Sequence, residues 1–330
     1  MVDRVMETSM NMAMKIPLAA LVLISASSWA AGFPDKPVRL IVPYPPGGGN
    51  DTISRLLAPK FAESTGQQLI IDTRPGAGTT IGTALAARAA PDGYTIVMSS
   101  VATHAMAPQL YATPGYDPLK DFSAVTLLAT TPMLLAVSAG LPYKSLQDVI
   151  AAGKASPGKL SYASGGNGTP PHLSAAIFTE KTGIQMVHVP YKGSGPALVD
   201  VMSGQIAMII DTAASVTPHI RNGKLRGIAI TGKRRWPDLP EVPTFAEGGL
   251  PDFDASSWYA IHAPAGTPKE IIARLNAELA RIVKLPDVNE RLRLMSAEAV
   301  GNTPAELDAF VRSEAAKWGK VIKSLNLRVD

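Results

Sequence analysis

A short apolar run, a glycine-rich loop and a helix-periodic segment follow one another repeatedly along this chain, and that alternation limits its fold more than any other feature. Val38 to Pro43 is an apolar run of strand length. Thr52 to Thr65 places Ile53, Leu56, Leu57 and Phe61 on one helical face. Leu69 to Asp72 predicts a second strand and Ile81 to Ala89 a second helix. Pro91-Asp92-Gly93 predicts a turn and Tyr94 to Ser99 a third strand. Strands alternating with helices predict an α/β fold with parallel pairing in a doubly wound sheet.

The alternation restarts after about residue 130. Strands are expected at Leu134–Ser138, Leu160–Ala163, Val187–Pro190, Ile206–Asp211 and Gly227–Thr231. Helices are expected from Ser145, with a capping-box spacing to Asp148, and at Pro171–Thr182, Pro196–Ser203 and Ala213–Asn222. Gly183, Gly204 and Gly223 follow three of these helices where a left-handed cap belongs. In the tail, Thr267-Pro268-Lys269-Glu270 and Thr303-Pro304-Ala305-Glu306 each predict a threonine cap with proline in the first turn. Two long helices and one short strand candidate, Trp258 to Ile261, are too little for a third domain. They are expected to return to the first lobe, giving one lobe of residues 31–130 plus 250–330 and another of 131–249. The crossings then fall near 128–132 and 245–255.

Lys15 precedes an apolar stretch, Ile16 to Ile24, that leads to Ser28-Trp29-Ala30. This pattern predicts a signal peptide over residues 1–30, cleaved after Ala30. Residues 1–13 read as a misplaced start, with Met14 the initiator. The apolar run is shorter than the ~20 residues a membrane span needs. The chain contains no cysteine, which excludes thiol catalysis, cysteine metal sites, disulfides and a lipid-anchoring cysteine. The mature protein is therefore expected to be soluble in the periplasm. Its net charge of +4 is scattered, without a basic run, and predicts no nucleic-acid partner.

In open α/β sheets ligands sit beyond the carboxyl ends of the strands. The loops there are Tyr44 to Asp51, Arg74 to Thr80, Ser99 to Thr103 and Ser164 to Thr169, all rich in Gly, Ser, Thr or Asn. Glycine lets backbone N–H groups approach a ligand, and a helix N-terminus adds partial positive charge. Each loop, taken singly, is also readable as a tight turn. The first lacks both nucleotide-binding glycine patterns. No G-x-S-x-G nucleophile motif occurs; Lys192-Gly193-Ser194-Gly195-Pro196 only approaches one. Ser156 to Lys159 fits S-x-x-K, but Pro157 and Gly158 spoil its helix. The five histidines have no metal-ligand spacing, so neither a metal nor a cofactor is expected. His172 stands out because it opens a helix after a Gly-Asn-Gly loop. Lys192 is either solvated or at the site. Asp211 either caps the next helix, contacts a ligand or meets a hinge partner. Arg74 either pairs with a ligand carboxylate or forms a surface salt bridge.

These loops, in this order, resemble the Bug family, the extracytoplasmic binding proteins of tripartite tricarboxylate transporters. The resemblance runs from about Phe33 to Leu325. It rests on Phe33 to Pro37, Pro43 to Asp51, Arg74 to Gly78, Gly168 to His172, Val189 to Gly204, Pro218 to Thr231, Leu239 to Thr244 and Trp258 to Pro268. It implies a type II periplasmic-binding-protein (Venus-flytrap) fold, with two doubly wound lobes joined by a two-crossing hinge. It also implies a cleft for di- or tricarboxylates, acidic amino acids or aromatic acids. Carried to matching positions, it points to Tyr44, Gly48, Gly78, Ser99 and Ser100 in the first lobe and Asn167, Thr169, His172, Lys192 and Asp211 in the second. Thr79 and Thr80 depart from the family, which often has Gly-Gly there, and Thr79 joins the candidates. Thr212 stands where Asn is common, and Pro170 and Pro171 remove N–H donors from a helix start.

The resemblance implies a monomeric, non-enzymatic receptor that delivers its carboxylate to a membrane permease. A secreted serine hydrolase and a sensing module without transport are the alternatives.

Overall fold

The computed structural model describes residues 32–329; the expected signal peptide lies outside the described residues. The strands are β1 Val38–Val42, β2 Leu69–Thr73, β3 Thr95–Ser100, β4 Phe122–Thr131, β5 Met133–Ser138, β6 Leu160–Ser164, β7 Met186–Pro190, β8 Met208–Thr212, β9 Leu225–Ile230, β10 Ser257–Pro264 and β11 Glu298–Ala299. The helices are α1 Gly49–Thr65, α2 Thr80–Ala87, α3 Ala107–Leu110, α4 Leu146–Ala155, α5 Pro170–Thr182, α6 Ser194–Ser203, α7 Ala213–Arg221, α8 Lys269–Val283, α9 Pro286–Leu294 and α10 Pro304–Ser324. Two sheets form, in the orders β11-β4-β10-β3-β1-β2 and β7-β6-β8-β5-β9.

Both sheets are mixed. Parallel pairing, expected throughout, holds for β2–β1–β3 and for β7–β6–β8. It fails where the chain passes between sheets: β10 runs antiparallel to β3 and β4, and β5 antiparallel to β8 and β9. β4 leaves the first sheet through one passage and β10 returns through the adjacent one, and β5 enters the second sheet where β9 leaves it, so each pair runs in opposite directions.

Burial follows the apolar pattern. β5 is buried at every position, as befits a strand covered on both faces. α8 buries Ile271, Ile272, Leu275, Leu279 and Ile282 against the first sheet. α10 is pinned by buried Glu314, whose Oε2 accepts from the indoles of Trp258 and Trp318, each at 3.2 Å. Lys317 balances that charge at 2.7 Å. The Ser145 and Thr303 capping boxes form as expected. The Thr267 cap does not: Pro268 takes the cap position and the Thr267 hydroxyl donates back to Pro264 O.

The two passages between sheets lie side by side. Pro132 joins β4 to β5, and its carbonyl accepts from Ala213 N at the start of α7. The return passage after β9 is tied in at once: Thr231 N donates to Met133 O, and Met133 N donates to the Thr231 hydroxyl. Ser257, opening β10, pairs with Thr131. Across the same edge, Thr217 of α7 shares a hydrogen bond with Ser296, and Arg293 and Arg221 both reach Asp238.

The first lobe also buries a histidine pair. The rings of His104 and His262 lie 4.2 Å apart, with Nδ1 atoms held by Thr103 and Ser99 at 2.9 and 2.6 Å. Burial drives His104 well below the usual histidine range and His262 down to about 3. Both are neutral at pH 7, whereas the unfolded chain protonates its histidines near the ordinary value of about 6.5. Stability present above that value is therefore lost as pH falls toward 3. Denaturant unfolding at pH 5 should show a loss of about 2 kcal/mol relative to pH 7.5 from His262 alone, and His262→Gln should flatten that dependence. Equal stability at both pH values would contradict this arrangement.

Candidate functional site

The loop after the carboxyl end of β6 reaches the first lobe. Contact is direct. A side chain built on Gly168 in the β6–α5 loop would lie 2.9 Å from Leu110 and 3.3 Å from Val329 of the first lobe. Val329 itself is tied to Leu110 O.

In the first lobe, Gly48 caps α1, and the N–H groups of Gly49 and Asn50 are first-turn donors without intrahelical partners. The ring of Tyr259, from β10, lies directly over Gly49, where any Cβ would collide with its hydroxyl. Tyr44 is half-buried and hydrogen-bonds Ser100, whose Oγ also accepts from Ala102 N. Ser99 does not join them. Adjacent strand residues face opposite sides of a sheet, and its buried hydroxyl is spent on Ala260 O and His262. Ser99 is thereby removed from the residues that can touch a ligand.

The β2–α2 loop is strained. Gly76, Ala77, Gly78 and Thr79 all have positive φ, with Thr79 at 85°. Gly78 lies beneath Tyr111, which leaves no room for a Cβ. A β-branched residue with positive φ is an outlier that persists only under constraint from its surroundings. The Thr79 hydroxyl is buried without a hydrogen-bond partner among the described residues. The threonine that departs from the family pattern is thus the residue with the strained backbone and the unmatched polar atom.

The second lobe offers fewer free amides than its glycines promise. Gly166 N donates to Ser164, Gly168 N to His172 Nδ1 at 3.1 Å, and Thr169 N to Gly166 O. Pro170 and Pro171 supply none. The Thr169 amide, expected to face the ligand, is therefore turned into its own loop. Exposed Asn167 stands at the loop tip, and His172 N–H follows the two prolines. The His172 ring stacks on His188 at 4.1 Å, and His188 on Tyr162 at 4.8 Å. Because His172 Nδ1 accepts a hydrogen bond, the neutral ring carries its proton on Nε2. α6 begins beside this loop, since Gly193 N donates to Gly165 O. Its Ser194 and Gly195 amides are first-turn donors. Lys192 is exposed and has no carboxylate partner among the described residues.

Asp211 ends β8 beneath these loops, with 2% of its surface exposed. Its Oδ1 accepts from Thr212 N at 2.6 Å. Oδ2 has no partner among the described residues. Burial pushes the carboxyl up to about 6, against the pull of the Thr212 amide. Burial also raises Tyr259, and the Asp211 charge from the opposite lobe raises it further. Arg74 is occupied elsewhere, with Asp72 at 2.9 Å.

Two α/β lobes joined by two adjacent passages define a two-lobed periplasmic binding protein. The chain belongs to the tripartite tricarboxylate transporter receptor family, whose model matches residues 53–327. It is 37% identical to Protein BugT of Bordetella pertussis over 307 residues, 93% of this chain and 94% of that protein. It is similar to an R. palustris protein solved with adipate (36% identity, TM-score 0.85, 90% of this chain and 99% of that one). It is also similar to MatC from Rhodopseudomonas palustris, solved with malate (33% identity, TM-score 0.81, 88% and 100%).

Sequence reasoning missed Tyr259, Tyr111 and Ser194. The tyrosines come from a returning strand and from the end of a short helix, and no local pattern marks either as a cleft residue. Ser194 was visible in its Gly-Ser-Gly setting, but only as a failed nucleophile motif.

The Thr79 geometry has a measurable consequence. Thr79→Gly removes the backbone conflict at the expense of chain entropy, and should raise stability by about 0.5–1 kcal/mol in denaturant unfolding. A loss of stability would contradict the strained assignment.

Proposed function

We propose that this protein is a periplasmic receptor that closes two lobes around a small organic carboxylate and hands it to a tripartite-type membrane permease. The lobes are residues 31–130 with 250–330, and residues 131–249. What supports the reading is that helix-start amides and buried polar atoms without a partner occur at strand ends in both lobes. Gly49, Asn50 and Thr79 come from one side; Ser194, His172 and Asp211 come from the other. Adipate and malate in the two R. palustris relatives support a carboxylate ligand. Of the sequence-derived candidates, Tyr44, Gly48, Gly78, Thr79, Ser100, Asn167, Thr169, His172, Lys192 and Asp211 remain in this reading. Thr169 serves as a loop brace within it.

Helix-start amides hold an anion without a basic side chain, because aligned peptide dipoles and free N–H groups both favour negative charge. The bound carboxylate bridges the lobes and so favours the closed form over the open one. The hinge is the pair of passages at Pro132 and around Thr231 and Ser256. The closed form, a monomer in this reading, is what the permease recognises. Export through the signal peptide, with cleavage after Ala30, places it in the periplasm.

The receptor reading includes no catalysis. Two Ser–His pairs exist, Ser164 with His188 and Ser99 with His262, each at 2.6 Å. Ser164 Oγ is already engaged with both Gly166 N and Gly166 O. Burial, with His172 alongside, lowers His188 to about 4, which makes it a weak base.

A thermal-shift panel of dicarboxylates, tricarboxylates, acidic amino acids and aromatic acids tests the reading. A ligand at a hundred times its Kd stabilises by about 2.7 kcal/mol. At least one carboxylate should raise Tm, and glucose and ATP should not. A shift with glucose or ATP and none with any carboxylate would refute it.

A further inference from the structure

Two consecutive residues, Leu110 and Tyr111, each fill the space left by a glycine in a different lobe. Tyr111 stands over Gly78 in the β2–α2 loop, where a Cβ would come within 2.9 Å of its ring carbon Cζ. Leu110 stands against Gly168 in the β6–α5 loop, where a Cβ would lie 2.9 Å from its Cδ1 methyl. Both glycines have positive φ, 57° and 74°, so each position favours glycine on backbone grounds as well. α3 ends at Leu110, and Tyr111 is already extended, at φ −93° and ψ 134°.

A strap from the end of α10 closes over this pair. Asn326, at φ 49°, follows the helix in the left-handed backbone that asparagine tolerates. Val329 N then donates to Leu110 O at 3.1 Å, and Val329 pairs with Tyr111 as a short parallel bridge. Val329 completes the seat for Gly168, its Cγ2 lying 3.3 Å from a Cβ built there. The Gly168 loop is itself braced. Gly168 N donates to His172 Nδ1, and Gly166 O accepts from the hydroxyls of Ser164 and Thr169. An apolar contact between two lobes is lost when they separate, so it weights the closed form.

We propose that Leu110, Tyr111 and Val329 form a clasp between the lobes, which sets the β2–α2 loop of one lobe, seats the β6–α5 loop of the other, and slows release of the bound carboxylate. They are positioning residues, and the clasp needs no contact with the ligand. This rests on the carboxylate-receptor reading above and adds the element that controls closure.

Two measurements test it. Stopped-flow dissociation of L-malate and of adipate measures release. Spin labels on Glu63→Cys and Lys154→Cys, exposed positions in α1 and α4 of a chain without cysteine, measure the distance between lobes without ligand. Val329→Ala and Leu110→Ala should quicken release by about fivefold or more, through lost apolar contact, and should lengthen or broaden the distances. Val329→Ala decides if the Leu110→Ala protein does not fold. Tyr111→Phe keeps the ring and the backbone pairing and should match the parent, whereas Tyr111→Ala should not. Val125→Ala, in the separate core packed under α8, should lower Tm and leave release and distances unchanged. If either acid binds, release decides: an unchanged rate in the Val329 and Leu110 variants, or an equal gain in Val125→Ala, would overturn the proposal. If neither acid binds, the distances decide in the same way. Because the distances are read without ligand, the clasp can fail while the carboxylate reading stands, and that reading is tested separately by the thermal-shift panel.

Discussion

A polar atom withdrawn from water must find a partner or cost about 1–3 kcal/mol, and two atoms at the centre of this molecule have none. The Thr79 hydroxyl is on one lobe and Asp211 Oδ2 on the other. Other buried atoms without a partner among the described residues include His104 Nε2, Ser174 Oγ and Trp236 Nε1. Well-satisfied groups stand beside these: Glu314 takes two indoles, and Arg226 binds the carbonyls of Ala139, Leu141 and Tyr143.

Parallel strands deliver every carboxyl end to one side of a sheet, and each such end opens onto a helix start. Two sheets arranged this way, joined by two adjacent passages, bring two sets of helix starts together. Few charges are then needed to hold an anion. The second lobe spends most of its glycine-loop amides internally, to stiffen the loop and fix the His172 tautomer. In this lobe the start of α6, at Ser194 and Gly195, keeps amides without intrahelical partners.

Much of this was readable in the sequence because parallel α/β units announce themselves locally. Apolar runs gave β1, β2, β3 and β5 within a residue or two, and Gly183, Gly204 and Gly223 do have the left-handed backbone. What local pattern could not supply came from long-range pairing. β4 mixes serines and threonines with its apolar residues, so its strand character comes from β10 and β11 on either side. The short helix α9 carries too few apolar residues to show a stripe. Glycine loops follow the carboxyl ends of β1, β2 and β6. The sequence could not say which face Ser99 takes, that Thr169 N turns inward, or that Tyr259 returns from more than 150 residues away to cover Gly49. Each is decided by a partner distant along the chain.

The central claim is that a ligand completes polar groups on both lobes at once. A crystal structure with a bound carboxylate measures this directly. The account predicts ligand oxygens within about 3.2 Å of first-turn amides from α1 and from α6, with a further ligand contact to the Thr79 hydroxyl or Asp211 Oδ2. A carboxylate bound to one lobe only, with both of those atoms still unpaired or capped by the protein itself, would contradict it.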